Sequence, residues 1–270
     1  MALPPAPRRI TLLSDFGTAD GYTAAMRGII AARAPDIEVV DATHEIGPGD
    51  IAAGAAALAR YWDLFPEGTV HIAVVDPGVG GGRRGLVVEA SSRIGVGPDN
   101  GLLEPLLGCA DSVREIRNAD LYRRQLSNTF HGRDIFAPVA AYLAGGGLVA
   151  RVGPAVGNPV RLVESPAVVD GPEIAGVVTH IDRFGTLITN IPGGLVRSGS
   201  VVRVRDQAMP LRSTFADVEP GGTVAFIGSR GFLEIAVRDG SAAGRLMAAR
   251  GTAVHVGPDP GPRMQEGPDP

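Results

Sequence analysis

The sequence predicts an α/β N-terminal domain, a mostly parallel sheet flanked by helices, followed by a small all-β C-terminal domain. Three observations carry that expectation. The first half alternates short apolar, β-rich runs with helix-like segments, the order in which a parallel sheet is wound and covered. The second half carries only short β-like runs spaced by turn residues. Between them, a stretch punctuated by Gly153-Pro154, Gly157-Asn158-Pro159 and Gly171-Pro172 has little helical periodicity and reads as a linker. With 270 residues, 44% of them hydrophobic, the chain can fill two ordinary cores.

In order, residues 10–13 read as a buried strand and residues 20–34 as a helix stopped by Pro35. A strand over 37–40 and an alanine-rich helix over 50–62 follow, then a strand over 69–75 that runs into Asp76-Pro77-Gly78-Val79-Gly80-Gly81-Gly82. Residues 86–89 and 94–96 look like further strands, and 135–143 like the helix that closes the unit. Beyond the linker, β-like runs cover 174–181, 187–191, 200–204, 223–227 and 232–237. The expected boundaries are residues 1–160 for the α/β domain, 161–172 for the linker and 173–256 for the all-β domain. Residues 257–270 form a tail whose Pro, Gly, Asp and Glu content predicts disorder.

Composition excludes several classes of function. The formal net charge is -4 and no long basic run occurs, so the footprint of a nucleic-acid binder is missing. The longest apolar stretches, such as residues 70–75, fall far short of the roughly 20 residues that span a bilayer, so no membrane insertion is expected. The first ten residues contain prolines and Arg8-Arg9 but no apolar core of a signal peptide, which makes a cytoplasmic protein the simplest expectation. Cys109 is the only cysteine, so an intrachain disulfide or a thiolate metal cluster is excluded. All 25 basic residues are arginine, which removes Schiff-base and phosphate-loop lysines from the possible chemistry.

Ligands of open α/β sheets sit beyond the carboxyl ends of strands, where loops reach a crevice from rigid supports. Three segments fit. In Ser14-Asp15-Phe16-Gly17-Thr18-Ala19-Asp20, the carboxylate of Asp15 can accept from two vicinal hydroxyls, as a ribose diol offers; alternatively Asp15 or Asp20 caps the helix. The turn from Asp76 to Arg84 is glycine-rich, but it lacks the Gly-Lys-Ser/Thr of a phosphate loop. In Thr129-Phe130-His131-Gly132-Arg133-Asp134, a histidine precedes a helix, where the helix terminus favours its neutral form and suits it to accept a hydrogen bond or a proton. A structural role for His131 stays open on this reading, as it does for His44, His71, His180 and His255.

Together these segments resemble, over nearly the whole chain, the SAM hydroxide adenosyltransferases, water-using relatives of fluorinases and chlorinases. The match rests on Ser14-Asp15-Phe16-Gly17, Val74-Val75-Asp76-Pro77-Gly78-Val79-Gly80 with Arg83-Arg84, Pro98-Asp99-Asn100-Gly101 and Thr129-Phe130-His131-Gly132-Arg133-Asp134. Asp182-Arg183-Phe184-Gly185 with Thr189-Asn190, and Ser229-Arg230-Gly231-Phe232-Leu233-Glu234-Ile235-Ala236, extend it into the second half. The resemblance implies a barrel-like C-terminal domain and a homotrimer whose sites lie between one subunit's N-terminal domain and a neighbour's C-terminal domain. It implies S-adenosyl-L-methionine as substrate, adenosine and L-methionine as products, and no metal or cofactor. Asp76, Arg83 and His131 match the catalytic trio, and Asp15 matches the ribose carboxylate. Asp182, Ser229 and Arg230 match residues that hold the methionine portion, while Phe130, Phe184, Asn190 and Glu234 fall within the substrate-binding motifs. The backbone near Ala242 matches the part that reads adenine.

The trio suits the chemistry, because a sulfonium carbon already carries a neutral leaving group and only the water, pKa about 15.7, needs activation. Halogenating relatives use a dry halide pocket that a carboxylate such as Asp76 would repel. Two positions depart from the family pattern. Thr186 stands where asparagine is usual, and Gly81-Gly82 precede Arg83. Three alternatives remain on sequence alone: a metal-dependent hydrolase built on Asp15, Asp76, His131 and Asp134, a halogenase, or a non-catalytic adenosyl-ligand binding protein.

Overall fold

A computed structural model describes residues 9–162 and 165–258. The expectation of disorder over 257–270 therefore falls mostly outside the described residues. Contacts group the chain into two compact units, before and after residue 162.

Unit 1 holds a six-stranded sheet in the order β2-β1-β3-β5-β4-β6. Its strands are β1 (Arg9–Ser14), β2 (Glu38–Thr43), β3 (Val70–Val74), β4 (Gly85–Ala90), β5 (Arg93–Pro98) and β6 (Ala110–Glu115). The run β2-β1-β3-β5 is parallel, whereas β4 pairs antiparallel with both β5 and β6. Alternation along the strands divides the core. Leu12, Ile72, Val74 and Val87 pack with Met26 and Ile30 of α1 (Tyr22–Arg33) and with Val139 and Ala140 of α4 (Ala137–Ala144). Leu13, Ala73, Leu86 and Val88 pack the other way, with Leu58 of α2 (Ile51–Ala59) and Leu106 of α3 (Glu104–Leu107). A sheet buried on both faces needs apolar residues at consecutive positions, which is why β1 and β3 read as continuous apolar runs.

Unit 2 is all-antiparallel apart from short turns and α5 (Ala242–Arg245). Its strand order is β11-β10-β14-β8-β9-β13-β12, with β7 (Val168–Asp170) on β8 (Glu173–Ile181). The others are β9 (Leu187–Pro192), β10 (Val201–Val204), β11 (Gln207–Pro210), β12 (Thr223–Ile227), β13 (Phe232–Val237) and β14 (Ala253–Gly257). A single parallel bridge between Leu211 and Ala225 joins the two ends of this otherwise antiparallel order, so the sheet is nearly closed into a barrel. Strand β7 lies inside the stretch whose glycines and prolines read as linker. Among the described residues no helix is long and apolar enough to cross a membrane.

Candidate active site

Strands β1 and β3 are parallel neighbours, so Asp15 and Asp76 leave the sheet side by side at carboxyl ends. The turn after Asp76 is fixed by Val79 N–H donating to Asp76 O at 3.2 Å and Gly81 N–H to Gly78 O at 3.1 Å. Gly80 has φ +78°, and a Cβ there would lie 2.2 Å from the carbonyl oxygen of Asn128. Only glycine fits, since it alone allows both the left-handed backbone and the close approach. This contact seats the glycine turn on the loop that leads to His131.

Within unit 1 the expected trio comes together, with Arg83 at its centre. Arg83 Nε donates to Asp76 Oδ1 at 2.9 Å and Nη2 donates to Asp76 Oδ2. Nη2 also lies 2.9 Å from His131 Nδ1. Arginine has no lone pair to offer, so Nδ1 accepts and the ring is neutral with its proton on Nε2. Burial, then the charge of Arg83, push the His131 pKa below its ordinary 6.5, against the pull of Asp76 and Asp134. The Arg83 guanidinium also stands over the Phe136 ring, 5.3 Å from its centroid. The unusual Gly81-Gly82 ahead of Arg83 is thus compatible with an arginine that reaches both partners.

His131 opens a π-helical turn, Gly132–Phe136, that runs into α4. This wider turn takes the place of the helix start expected at Ile135. Asp134 anchors it. Fully buried, its carboxylate accepts from Arg133 (2.7 and 2.9 Å), from Arg123 (3.0 Å) and from Ser127 N–H (2.7 Å). Burial alone would raise its pKa, yet the hydrogen bonds from Arg133 and Arg123 prevail and hold it at about 2. Asp134 is committed to these arginines, which argues against its use as a metal ligand. Among the described residues no group of three or more His, Cys, Asp or Glu is placed to hold a metal ion.

Asp15 Oδ2 accepts from Gly49 N–H at 2.8 Å, and Oδ1 takes no hydrogen bond among the described residues. Beside it, Phe16, Tyr22 and Phe130 meet in three ring contacts with centroids 5.2–5.9 Å apart. The motif Pro98-Asp99-Asn100-Gly101 braces this end of the sheet: Asn100 Nδ2 donates to Val75 O at 2.8 Å, and buried Asp99 accepts from Arg84 Nε at 2.6 Å.

In unit 2, Asp182 Oδ1 accepts from Phe184 N–H (2.9 Å) and Thr186 N–H (2.8 Å), which shapes the β8–β9 turn. Gly185 has φ +82°, and a Cβ there would meet Ser241 Oγ at 2.1 Å, so this turn abuts the start of α5, where Ala242 is buried. Phe184 is 78% exposed at the tip, a position no core requires. Thr186, where the family usually has asparagine, is buried. Ser229 and Arg230 form the exposed β12–β13 turn. Phe232 pairs with Pro192 and Ile235 with Leu187, so the two turns flank opposite ends of β9. Glu234 lies in β13 opposite Phe226. The Asn190 amide is bonded to backbone: Oδ1 accepts from Val177 N–H at 2.8 Å and Nδ2 donates to Ser165 O at 2.7 Å. These bonds give Asn190 a structural role, with one N–H and one lone pair left over.

The sequence profile of the SAM hydroxide adenosyltransferase N-terminal domain matches residues 10–153, and that of the corresponding C-terminal domain matches residues 176–255. The chain is 41% identical to an (R)-S-adenosyl-L-methionine hydrolase of Salinispora arenicola over 92% of its own length and 97% of the relative's. It is 30% identical to a fluorinase of an Actinoplanes species, over 84% and 90% of the two chains. Among solved structures, an uncharacterized conserved protein from Thermotoga maritima superposes with a TM-score of 0.86 at 35% identity, over 92% of this chain and 99% of the other.

Proposed function

The chain belongs to the SAM hydroxide adenosyltransferase family, and from that premise we propose how its residues carry out the reaction, hydrolysis of S-adenosyl-L-methionine to adenosine and L-methionine. The observation that carries the proposal is the single guanidinium of Arg83 joined to both Asp76 and His131. A water held against this trio attacks C5′ opposite sulfur. The C5′–O bond forms as the C5′–S bond breaks, its electron pair leaves with sulfur as the neutral thioether of methionine, and the water yields one proton. His131 Nδ1 is taken by Arg83, so the ring offers Nε2–H as a donor to the developing hydroxide, and the carboxylate of Asp76 is the acceptor for the proton. Arg83 stabilises the charge that develops between them.

Asp15, with Oδ2 fixed on Gly49, presents its other oxygen to the ribose diol. Phe130 belongs to the aromatic wall beside it. On the family pattern Ser229 and Arg230 hold the methionine end, Asp182, on the turn at the other end of β9, carries the same assignment, Phe184 offers an exposed ring for stacking, and the backbone at Ala242 reads adenine. These roles rest on the family pattern, as do homotrimeric assembly and a cytoplasmic location.

The Salinispora relative is named as a hydrolase of (R)-S-adenosyl-L-methionine, so the test offers the (R) and (S) epimers separately to the purified protein, in chelator, with and without chloride. Adenosine and methionine in equal amounts, fastest from the (R) epimer and independent of chloride, are expected. A 5′-chloro nucleoside, or binding without turnover, would refute the proposal.

The state of His131 sets the pH dependence. Its pKa is depressed by burial and by Arg83, so the neutral ring that accepts from Arg83 persists below 6.5, and the acidic limb of kcat/KM should be centred below 6.5. An acidic limb centred at or above 6.5 would show that His131 is not the group so described.

A further inference from the structure

His44 lies outside the expected site, yet it grips the segment that carries Asp15 at both ends. Its Nδ1 lies 2.8 Å from Ser14 Oγ, and its backbone carbonyl accepts from Gly17 N–H at 2.8 Å. Ser14 Oγ in turn accepts from Phe16 N–H at 3.3 Å. Residues 14–17 are thus held on either side of Asp15. A charge stands behind the clamp: His44 Nε2 is 3.2 Å from Asp41 Oδ1, close enough for electrostatic attraction though not in hydrogen-bond geometry, and Asp41 Oδ2 accepts from Arg27 of α1 at 2.7 Å. A carboxylate facing Nε2 favours the proton there, which leaves Nδ1 to accept the Ser14 hydroxyl. His44 is 6% exposed and Ser14 1%, so water does not compete for the bond between them, whereas the Arg27–Asp41 pair stands in solvent.

Core packing does not need such a chain, because a leucine fills similar volume without a buried imidazole to satisfy. The geometry points to a positioning role: we propose that the Arg27–Asp41–His44–Ser14 chain aims the Asp15 carboxylate, and that His44 thereby sets the affinity for the ribose of the substrate without touching it. This rests on the reading of Asp15 as the ribose carboxylate.

The experiment is a double-mutant cycle on the full chain, with KM and kcat for S-adenosyl-L-methionine measured for Asp15→Ala, His44→Leu, the double variant and His44→Asn, and a thermal melt to check folding. Losing a hydrogen bond to a charged group corresponds to roughly 10- to 100-fold, so Asp15→Ala should raise KM about 30-fold and His44→Leu about tenfold, with kcat changed less than about threefold. The double variant should be no worse than Asp15→Ala alone. His44→Asn keeps an acceptor near the Nδ1 position and should restore most of the lost affinity. Additive effects in the double variant, a loss in kcat rather than KM, or no effect of a folded His44→Leu each overturn the proposal while the ribose reading stands. An unchanged KM in Asp15→Ala overturns both.

Discussion

Replacing Arg83 with leucine is expected to lower kcat about a thousandfold with KM for S-adenosyl-L-methionine nearly unchanged. The guanidinium makes all the bonds that unite the trio, two to Asp76 and one to His131. Without it the carboxylate and imidazole lose their mutual orientation, and the developing hydroxide loses its cation; one preorganised donor of this kind corresponds to roughly 100- to 1,000-fold in kcat. The partners of Arg83 are groups that act on water rather than on the substrate's fixed parts, so the loss should fall on kcat. Arg83→Lys should recover little, because an ammonium cannot span both carboxylate oxygens and still reach Nδ1. Steady-state adenosine formation decides this, and a folded Arg83→Leu variant within tenfold of the parent would remove Arg83 from the mechanism.

The second large effect is on stability. Asp134→Ala is expected to destabilise unit 1 by about 2–3 kcal/mol, because it removes the buried carboxylate that binds the partly exposed guanidiniums of Arg133 and Arg123 and leaves the Ser127 N–H without its acceptor. Linkage points the same way. With a folded-state pKa of about 2 against an ordinary 3.8, the carboxylate contributes stability that is complete above 3.8 and is lost as pH falls toward 2, about 2 kcal/mol in all. Asp134 also holds Ser127, next to the Asn128 carbonyl on which Gly80 rests, so the loss should reach the glycine turn and lower activity as well. A thermal melt across pH 2 to 7 tests both parts. An unchanged midpoint in Asp134→Ala would refute the anchoring role.

Much of this is legible in the sequence, for physical reasons that differ by element. Strands β1 and β3 announce themselves because both faces of the sheet are covered. The trio is legible only through the family motifs: no spacing reveals that residues 76, 83 and 131 meet. The β4–β5 hairpin is hidden because its two-residue turn is Ser91-Ser92, both at positive φ (47° and 60°), where Asn-Gly would have signalled the same turn. Strand β6, with its polar run Ala-Asp-Ser-Val-Arg-Glu, sits at an edge and lacks an apolar signature. His44 reads as structural because its hydrogen-bond partner Ser14 lies thirty residues away on another strand, and only the folded register brings the two within reach. Asn190 shows the same limit: its motif position suggests substrate contact, and the bonds its amide makes to backbone appear only in the fold.

The strand order of unit 2 also governs how that unit can assemble. Strand β14 comes last along the chain but lies in the middle of the sheet, between β10 and β8. Until residues 253–257 emerge from the ribosome, Ile174 to Val177 of β8 and Val201 to Val204 of β10 lack their mutual neighbour. The barrel therefore cannot zip from its first hairpin outward; it waits for a long-range insertion, a step that slows folding and leaves two sticky edges exposed meanwhile. Nascent chains halted short of β14 are the ones expected to engage chaperones.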